Sequence, residues 1–351
     1  MALVAGSPAQ DRKKKNKDDE PVTQSLPLLK DPPSAAVGET NRLVFHVSPL
    51  SSKGLLTQQV RDTLKMLLQE QRGASIVKLR AFVSGSGDLR RVQTLVSEVF
   101  TEHKLSIPAL STIQVGALPM EGAQVAIESI AVGKKTANPN GLAFFAGQQA
   151  KDAAHSVAQL RAAVESAGVN RAAVLRTTCF LSSLDDLAAA KDAIHSAFPA
   201  AAMNFVQQQR LGMEQLIECE AVGRLDKPPI APVALVNPPG LARNPNYSQI
   251  ALVNTPRIVF SGTQMAFGDQ DKDVRLAFER LRKAIEAQGV GYKDVFWSGV
   301  YPLTRPVADK VRAIRFDFFD RANPPASTLL LFEGLPSLDA TVAIEVAAAA
   351  N

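Results

Sequence analysis

Apolar positions along the chain change period in a fixed order. LVFHVSPL (43–50) is a short apolar run ending in Ser-Pro, the pattern of a buried strand. Leu56, Val60, Leu64, Leu67 and Leu68 then recur at three- and four-residue spacing, which predicts one apolar helix face, and Gly73 ends it. VKLRAFV (77–83) is rich in β-branched and aromatic residues, a second helical stretch comes next, and PALSTIQV (108–115) and QVAIESIAV (124–132) predict two more strands. The order is strand, helix, strand, helix, strand, strand.

The same order returns twice. LAFFAGQQ (142–149), AHSVAQLRAAVESAGVN (154–170), AAVLRTTCFL (172–181) and QLIECEAVG (215–223) form the second repeat. IVFSGTQM (258–265), KDVRLAFERLRKAIEAQGVG (272–291), VFWSGVY (295–301) and TVAIEVAAA (341–349) form the third. The helix-ending glycines, Gly73, Gly168 and Gly289, stand 95 and 121 residues apart, a domain-sized period rather than a solenoid's. The reading is α+β, with three tandem domains at 26–134, 135–225 and 246–351. Residues 226–245, with six prolines, form a stiff extended linker, and 1–25 form a disordered tail in which a basic run (Arg12 to Lys17) meets an acidic one (Asp18 to Glu20). Sheets with one exposed face need cover, and three of them in one chain can supply it mutually around a pseudo-threefold axis.

Composition narrows the function classes. No apolar run approaches the ~18 residues of a membrane span, so no transmembrane helix is expected. A net charge of +5 from 39 basic and 34 acidic residues is too diffuse for a nucleic-acid footprint, and 6% aromatic content leaves no stacking strip. Cys179 and Cys219 lie outside any CxxC motif; the reading is buried thiols, with a disulfide open only if their strands pair. His46, His103, His155 and His195 show no metal-ligand spacing, so neither metal nor cofactor is expected. Ser84-Gly85-Ser86-Gly87-Asp88 reads as a turn capped by Asp88 rather than a phosphate loop. Residues 3–9 are similar to the end of an export signal. The expected location is periplasmic or extracellular if a signal lies upstream, and cytoplasmic if Met1 is the true start.

The closing signature Pro-Ala-x-Ser-Thr, Leu-Pro and Val-x-Ile-Glu, with Asn246-Tyr247-Ser248-Gln249 and Phe260-Ser261-Gly262-Thr263-Gln264 in the third repeat, resembles the reactive intermediate deaminase family, also called Rid, YjgF or endoribonuclease L-PSP. The resemblance implies chorismate-mutase-like units arranged as a trimer, here a single-chain pseudo-trimer, with ligand clefts between neighbours. It also implies hydrolysis of enamines or imines, for which the family uses an arginine in Pro-Ala-Arg to grip a carboxylate bidentately. Here Leu110, Ala201 and Ser327 stand at that place in the three repeats, and the family's glutamate survives only as Glu218, with Ala126 and Ala343 as its counterparts. The resemblance therefore implies a small-molecule-binding or assembly scaffold, with a deaminase-type hydrolase as the alternative. The residues it singles out are Glu218 as catalytic base, and Tyr247, Ser261, Gly262, Gln264, Ser327 and Arg210 around a ligand cleft. A small molecule between domains and a protein partner or self-assembly are the expected partners, with no membrane and no nucleic acid.

Overall fold

The computed structural model describes residues 29–85, 87–210 and 215–351. The tail and signal readings for 1–25 lie outside them. In chain order the elements begin with β1 (Ala35–Glu39), β2 (Leu43–Val47), α1 (Leu56–Glu70), β3 (Ser75–Ser84), α2 (Arg90–Glu102), β4 (Ala109–Val115) and β5 (Val125–Val132). Next come β6 (Leu142–Ala150), α3 (Ala153–Ser166), β7 (Val174–Leu181), α4 (Leu187–Ala197), β8 (Ala202–Gln207) and β9 (Ile217–Arg224). The remainder is β10 (Val233–Val236), β11 (Ile250–Val253), β12 (Arg257–Ser261), β13 (Gln264–Phe267), α5 (Asp271–Glu286), β14 (Val295–Pro302), α6 (Arg305–Ile314), β15 (Ala326–Leu329) and β16 (Ala340–Ala350). Gly73, Gly168 and Gly289 follow the long helices with φ of 79°, 68° and 80°, the left-handed turn that glycine adopts without a Cβ clash. Asp88 accepts the Arg90 N–H at 3.0 Å, as expected of a cap.

The protein is a mixed α/β structure with three sheets. The first runs β2-β5-β3-β4, the second β10-β11-β6-β9-β7-β8, and the third β1-β12-β16-β14-β15 with β13 against β16. In each, a helix crosses between two parallel strands: β3 and β4, β7 and β8, β14 and β15. The amphipathic helices bury Leu64 and Leu95 on the first sheet, Leu160 and Ile194 on the second, and Phe278 and Val311 on the third. The opposite sheet faces meet one another. Phe45, Phe144 and Phe260 share one cluster, and Phe82, Phe180 and Phe332 another, so each cluster draws on all three sheets.

Two strands cross between repeats. β1 pairs with β12, placing Val37 opposite Val259, and β11 pairs with β6, placing Ile250 opposite Phe145. The proline-rich stretch expected to be a bare connector contains β10, which hairpins onto β11 and becomes the edge of the second sheet. Pro228, Pro229 and Pro232 on one side and Pro238, Pro239 and Pro245 on the other leave Val233–Val236 free to pair, and the strand forms between them. Among the described residues, no helix is long and apolar enough to cross a membrane.

Cys179 and Cys219 face each other in the β7–β9 register and form a disulfide with Cα atoms 4.1 Å apart, which corrects the expectation of free buried thiols. That separation is the one left open in the sequence; strand pairing supplies it.

Candidate functional site

Where the sheets meet, three glutamates at equivalent register positions converge. Glu128 lies opposite Arg80, Glu220 opposite Thr178, and Glu345 opposite Gly299. Each accepts a hydrogen bond from a neighbouring sheet: Asn204 to Glu128 at 2.8 Å, Thr328 to Glu220 at 2.6 Å, and Ser111 to Glu345 at 2.5 Å. The donors are themselves equivalent, since Ser111, Asn204 and Thr328 pair with Arg80, Thr178 and Gly299.

The positive charges do not repeat. Arg80 bonds Glu128 at 2.8 Å and Glu220 at 2.6 Å, Arg176 reaches Glu128 at 3.2 Å, and Lys78 bonds Glu345 at 2.5 Å and Ser111 at 2.6 Å. In the third repeat Trp297 and Gly299 occupy the corresponding places; a Cβ on Gly299 would stand 2.7 Å from the Tyr301 hydroxyl, which donates to Glu345. Three carboxylates meet three cations, so the buried cluster is neutral. Burial alone would raise the Glu128 carboxyl, but Arg176 and Arg80 with the Thr178 and Asn204 hydrogen bonds hold it at about 2. The cluster borders a cavity of about 30 Å³, room for about one water.

The junction of the second and third sheets carries a different group. Glu218 lies on β9 opposite Gln149 on β6, beside the register shift at Gly147, and a Cβ on Gly147 would fall 2.0 Å from its Oε1. Glycine there lets the carboxyl lie over the strand. Burial, then the charge of Glu220, pushes the Glu218 carboxyl up to about 8. Tyr247, just before Ser248 bridges to Ala326, is pushed up to about 12 by burial and then by Glu218. Ser327 accepts from Ser298 at 2.9 Å, and the fully buried Arg315 donates from Nη2 to Ser298 at 3.3 Å. Gln149, the strand partner of Glu218, and Leu329, two residues beyond Ser327, help line a cleft of about 370 Å³ with Leu216, Arg305, Arg312 and Leu331, while Glu218, Tyr247, Ser327 and Arg315 themselves are not among its lining residues.

The other sequence-derived residues fall elsewhere. Ser261 is buried, its Oγ accepting from the Val346 N–H at 2.9 Å and its carbonyl from Lys78 at 2.6 Å. Gly262 abuts Leu110, and with Gln264 it lines a separate cleft of about 190 Å³ covered by Pro32 and Pro33. Arg210 donates from Nε to the Gly116 carbonyl at 2.6 Å, and Glu333 accepts its N–H at 2.5 Å; it is not among the groups around Glu218. In the second repeat, register puts Met203 rather than Ala201 level with Leu110 and Ser327, because Asn204 takes the place of Ser111 and Thr328. Motif matching passes over Arg315 and Ser298. Yet Val307, Val311 and Arg315 recur every four residues, an arginine on a helix's buried stripe, which is a readable signal.

Three α/β sheets of one strand order around a buried ion cluster, with candidate clefts at their junctions, define the class. Residues 50–133 match the family model described as Endoribonuclease L-PSP. Similar solved structures include a YjgF-family member from Mycobacterium tuberculosis (20% identity, 26% of this chain and 79% of that one, TM-score 0.25). They also include a Rid-family protein of unknown function from Yersinia pestis (16%, 34% and 100%, 0.32) and TdcF from E. coli with bound serine (18%, 27% and 81%, 0.24). No curated protein matches the chain.

Proposed function

We propose that the chain is a single-chain pseudo-trimer of three Rid-like units that binds a small molecule at the junction of the second and third. The cyclic hydrogen bonds from Ser111, Asn204 and Thr328 to the next unit's glutamate support the threefold arrangement. One observation carries the choice of junction: the charges of Glu218 and Arg315 both reach Tyr247, and Arg315 hydrogen-bonds Ser298 of the Ser298–Ser327 pair, whereas Gly262 at the third-to-first junction meets the Leu110 backbone. Thermal-shift screening with small polar carbonyl compounds tests it. Ligands should stabilise the wild type and lose that effect in Tyr247→Phe and Gly147→Ala, but keep it in Leu110→Ala; binding that tracks Leu110 instead would overturn the assignment.

A second reading, hydrolysis of an imine or enamine, is favoured by Glu218. A carboxyl with a pKa of about 8 carries a proton at neutral pH. It can give that proton to an imine nitrogen and take one back from the attacking water. The carbon–nitrogen double bond is thereby replaced by a carbonyl, and the nitrogen leaves as ammonia, so that one imine and one water become one ketone and one ammonia. A coupled assay with 2-iminobutanoate made by a pyridoxal-phosphate dehydratase, monitored by keto-acid release, separates the readings. Turnover lost in Glu218→Gln supports the hydrolase, and turnover unchanged in both Glu218→Gln and Tyr247→Phe dismisses it. The buried disulfide supports residence in an oxidising compartment.

A further inference from the structure

Strands β2, β6 and β12 hold the same place in their sheets, and two of them carry a further strand on the outer edge. β11 runs antiparallel along β6 with Ala251 opposite Phe144, and β1 along β12 with Ala36 opposite Phe260. The Gln249 carbonyl accepts from the Ala146 N–H at 2.9 Å, and the Ser34 carbonyl from the Gly262 N–H at 2.8 Å, so both added strands keep one register. β2 is the exception: it pairs with β5 and ends its sheet.

The Arg42 carbonyl accepts from the Gly133 N–H at 2.8 Å, and the Ile127 carbonyl from the Ser48 N–H at 2.8 Å. Even-numbered residues of β2 therefore bond β5, and Leu43, Phe45 and Val47 turn their backbone groups outward. The Leu43 carbonyl accepts from Asn138 Nδ2 at 2.8 Å, but among the described residues nothing bonds the backbone N–H or C=O of Phe45 or Val47. The stretch before β6 cannot supply the missing strand, because the Asn41 carbonyl holds the N–H groups of Ala137 and Asn138 at 2.8 and 2.9 Å. β1 and β11 are already paired elsewhere. The open edge ends at a cleft of about 490 Å³ lined by Val47, Pro49, Lys191, His195, Met203 and Phe205. At the third-to-first junction Pro32, Pro33 and Ser34, which lead into β1, line the corresponding cleft of about 190 Å³. A row of unpaired backbone groups beside an unfilled cleft is a template for one more strand.

We propose that the outer edge of β2 is a strand-addition site for an extended segment of a partner protein. The two filled sites define that segment: four or five residues, antiparallel, small and aliphatic, with alanine opposite Phe45 as Ala251 stands opposite Phe144 and Ala36 opposite Phe260. Its alanine N–H donates to the Phe45 carbonyl and its alanine carbonyl accepts from the Phe45 N–H. The carbonyl two residues earlier accepts from the Val47 N–H, as Gln249 does for Ala146, and the residues leading in lie over the cleft.

The probe is a fluorescent peptide with the sequence of residues 246–253, which contains the strand filling the equivalent site on β6, read by anisotropy with the full chain. The wild type should bind one peptide. N-methylation at the peptide's Ala251 position, whose N–H faces β2, should weaken binding ~10-fold, the scale of one lost hydrogen bond. N-methylation at its Leu252 position, which faces away, should leave binding unchanged. Val47→Pro should fold as the wild type does, because that N–H bonds no described residue, and should lose the peptide. Where that variant unfolds, the two methylated peptides decide, since they need no substitution. Hydrogen exchange read by NMR should show the Phe45 and Val47 amides exchanging freely in the wild type alone and slowly with peptide present. Absence of binding, or equal weakening by the two methyl groups, would overturn the proposal. Slow exchange of both amides before peptide is added would overturn it as well: protection that rises with protein concentration would assign the edge to a second copy, and protection independent of concentration to this chain itself.

Discussion

Replacing Arg80 with methionine should destabilise the fold more than any surface substitution. The guanidinium touches Glu128 and Glu220 and lies 4.0 Å from Glu345, all nearly solvent-free, and without it three buried carboxylates share Lys78 and Arg176. Breaking a buried pair by removing one partner costs about 3 to 5 kcal/mol, which for a chain this long lowers the melting temperature by about 4 to 7 °C. Acid should reveal the same cluster. The Glu128 pKa falls from an ordinary 4.5 to about 2, so its contribution is present above about pH 5 and disappears as pH falls through 2. That shift corresponds to about 3 kcal/mol. Guanidinium chloride unfolding of wild type, Arg80→Met and Arg80→Met/Glu128→Gln at pH 7 and pH 3 is the assay. The double variant, with its charge balance restored, should recover part of the loss. An Arg80→Met protein within about 1 kcal/mol of wild type at pH 7 would refute the claim that this cluster holds the sheets together.

Glu218→Gln should leave stability unchanged below about pH 4.5 and raise it above pH 8 by at most about 5 kcal/mol, since a carboxyl raised to about 8 loses its contribution as pH rises; equal curves at pH 9 would contradict its burial as a neutral acid. Labelling the denatured, unreduced chain with iodoacetamide should add no mass, and the double variant Cys179→Ser/Cys219→Ser should lose about 2 to 4 kcal/mol of stability, which equilibrium unfolding reads. Gly147→Ala should displace the Glu218 carboxyl, returning its pKa toward the ordinary range, as carbon-13 NMR of the labelled carboxyl would show.

The helices and strand order are legible in the sequence because apolar period and helix-ending glycines are local properties. α1 and its stop at Gly73 need only the fifteen or so residues around them. The ion cluster is not legible. Lys78 and Arg80 read as charges in a strand, and nothing near them says that Glu345 lies across a sheet junction 267 residues away from Lys78. β11 misleads for the same reason: Ile250–Val253 falls within the third domain as read from the sequence, 246–351, while its hydrogen bonds go back to β6 in the second. Tyr247 and Glu218 are visible as motif remnants, but their proximity requires the second and third sheets to meet.

The pairing of β1 with β12 sets a timetable for synthesis. Glu39 leaves the ribosome 218 residues before its partner Arg257, so at about 5 to 20 residues per second β1 waits roughly 10 to 45 s for the strand that will hold it. During that interval Ala35–Glu39 is a free edge beside a first sheet that can already fold, able to pair with a neighbouring chain on the same message. The third sheet can be completed only once Arg257–Ser261 has been made, so a nascent chain stalled before residue 257 lacks the strand that pairs with Ala35–Glu39.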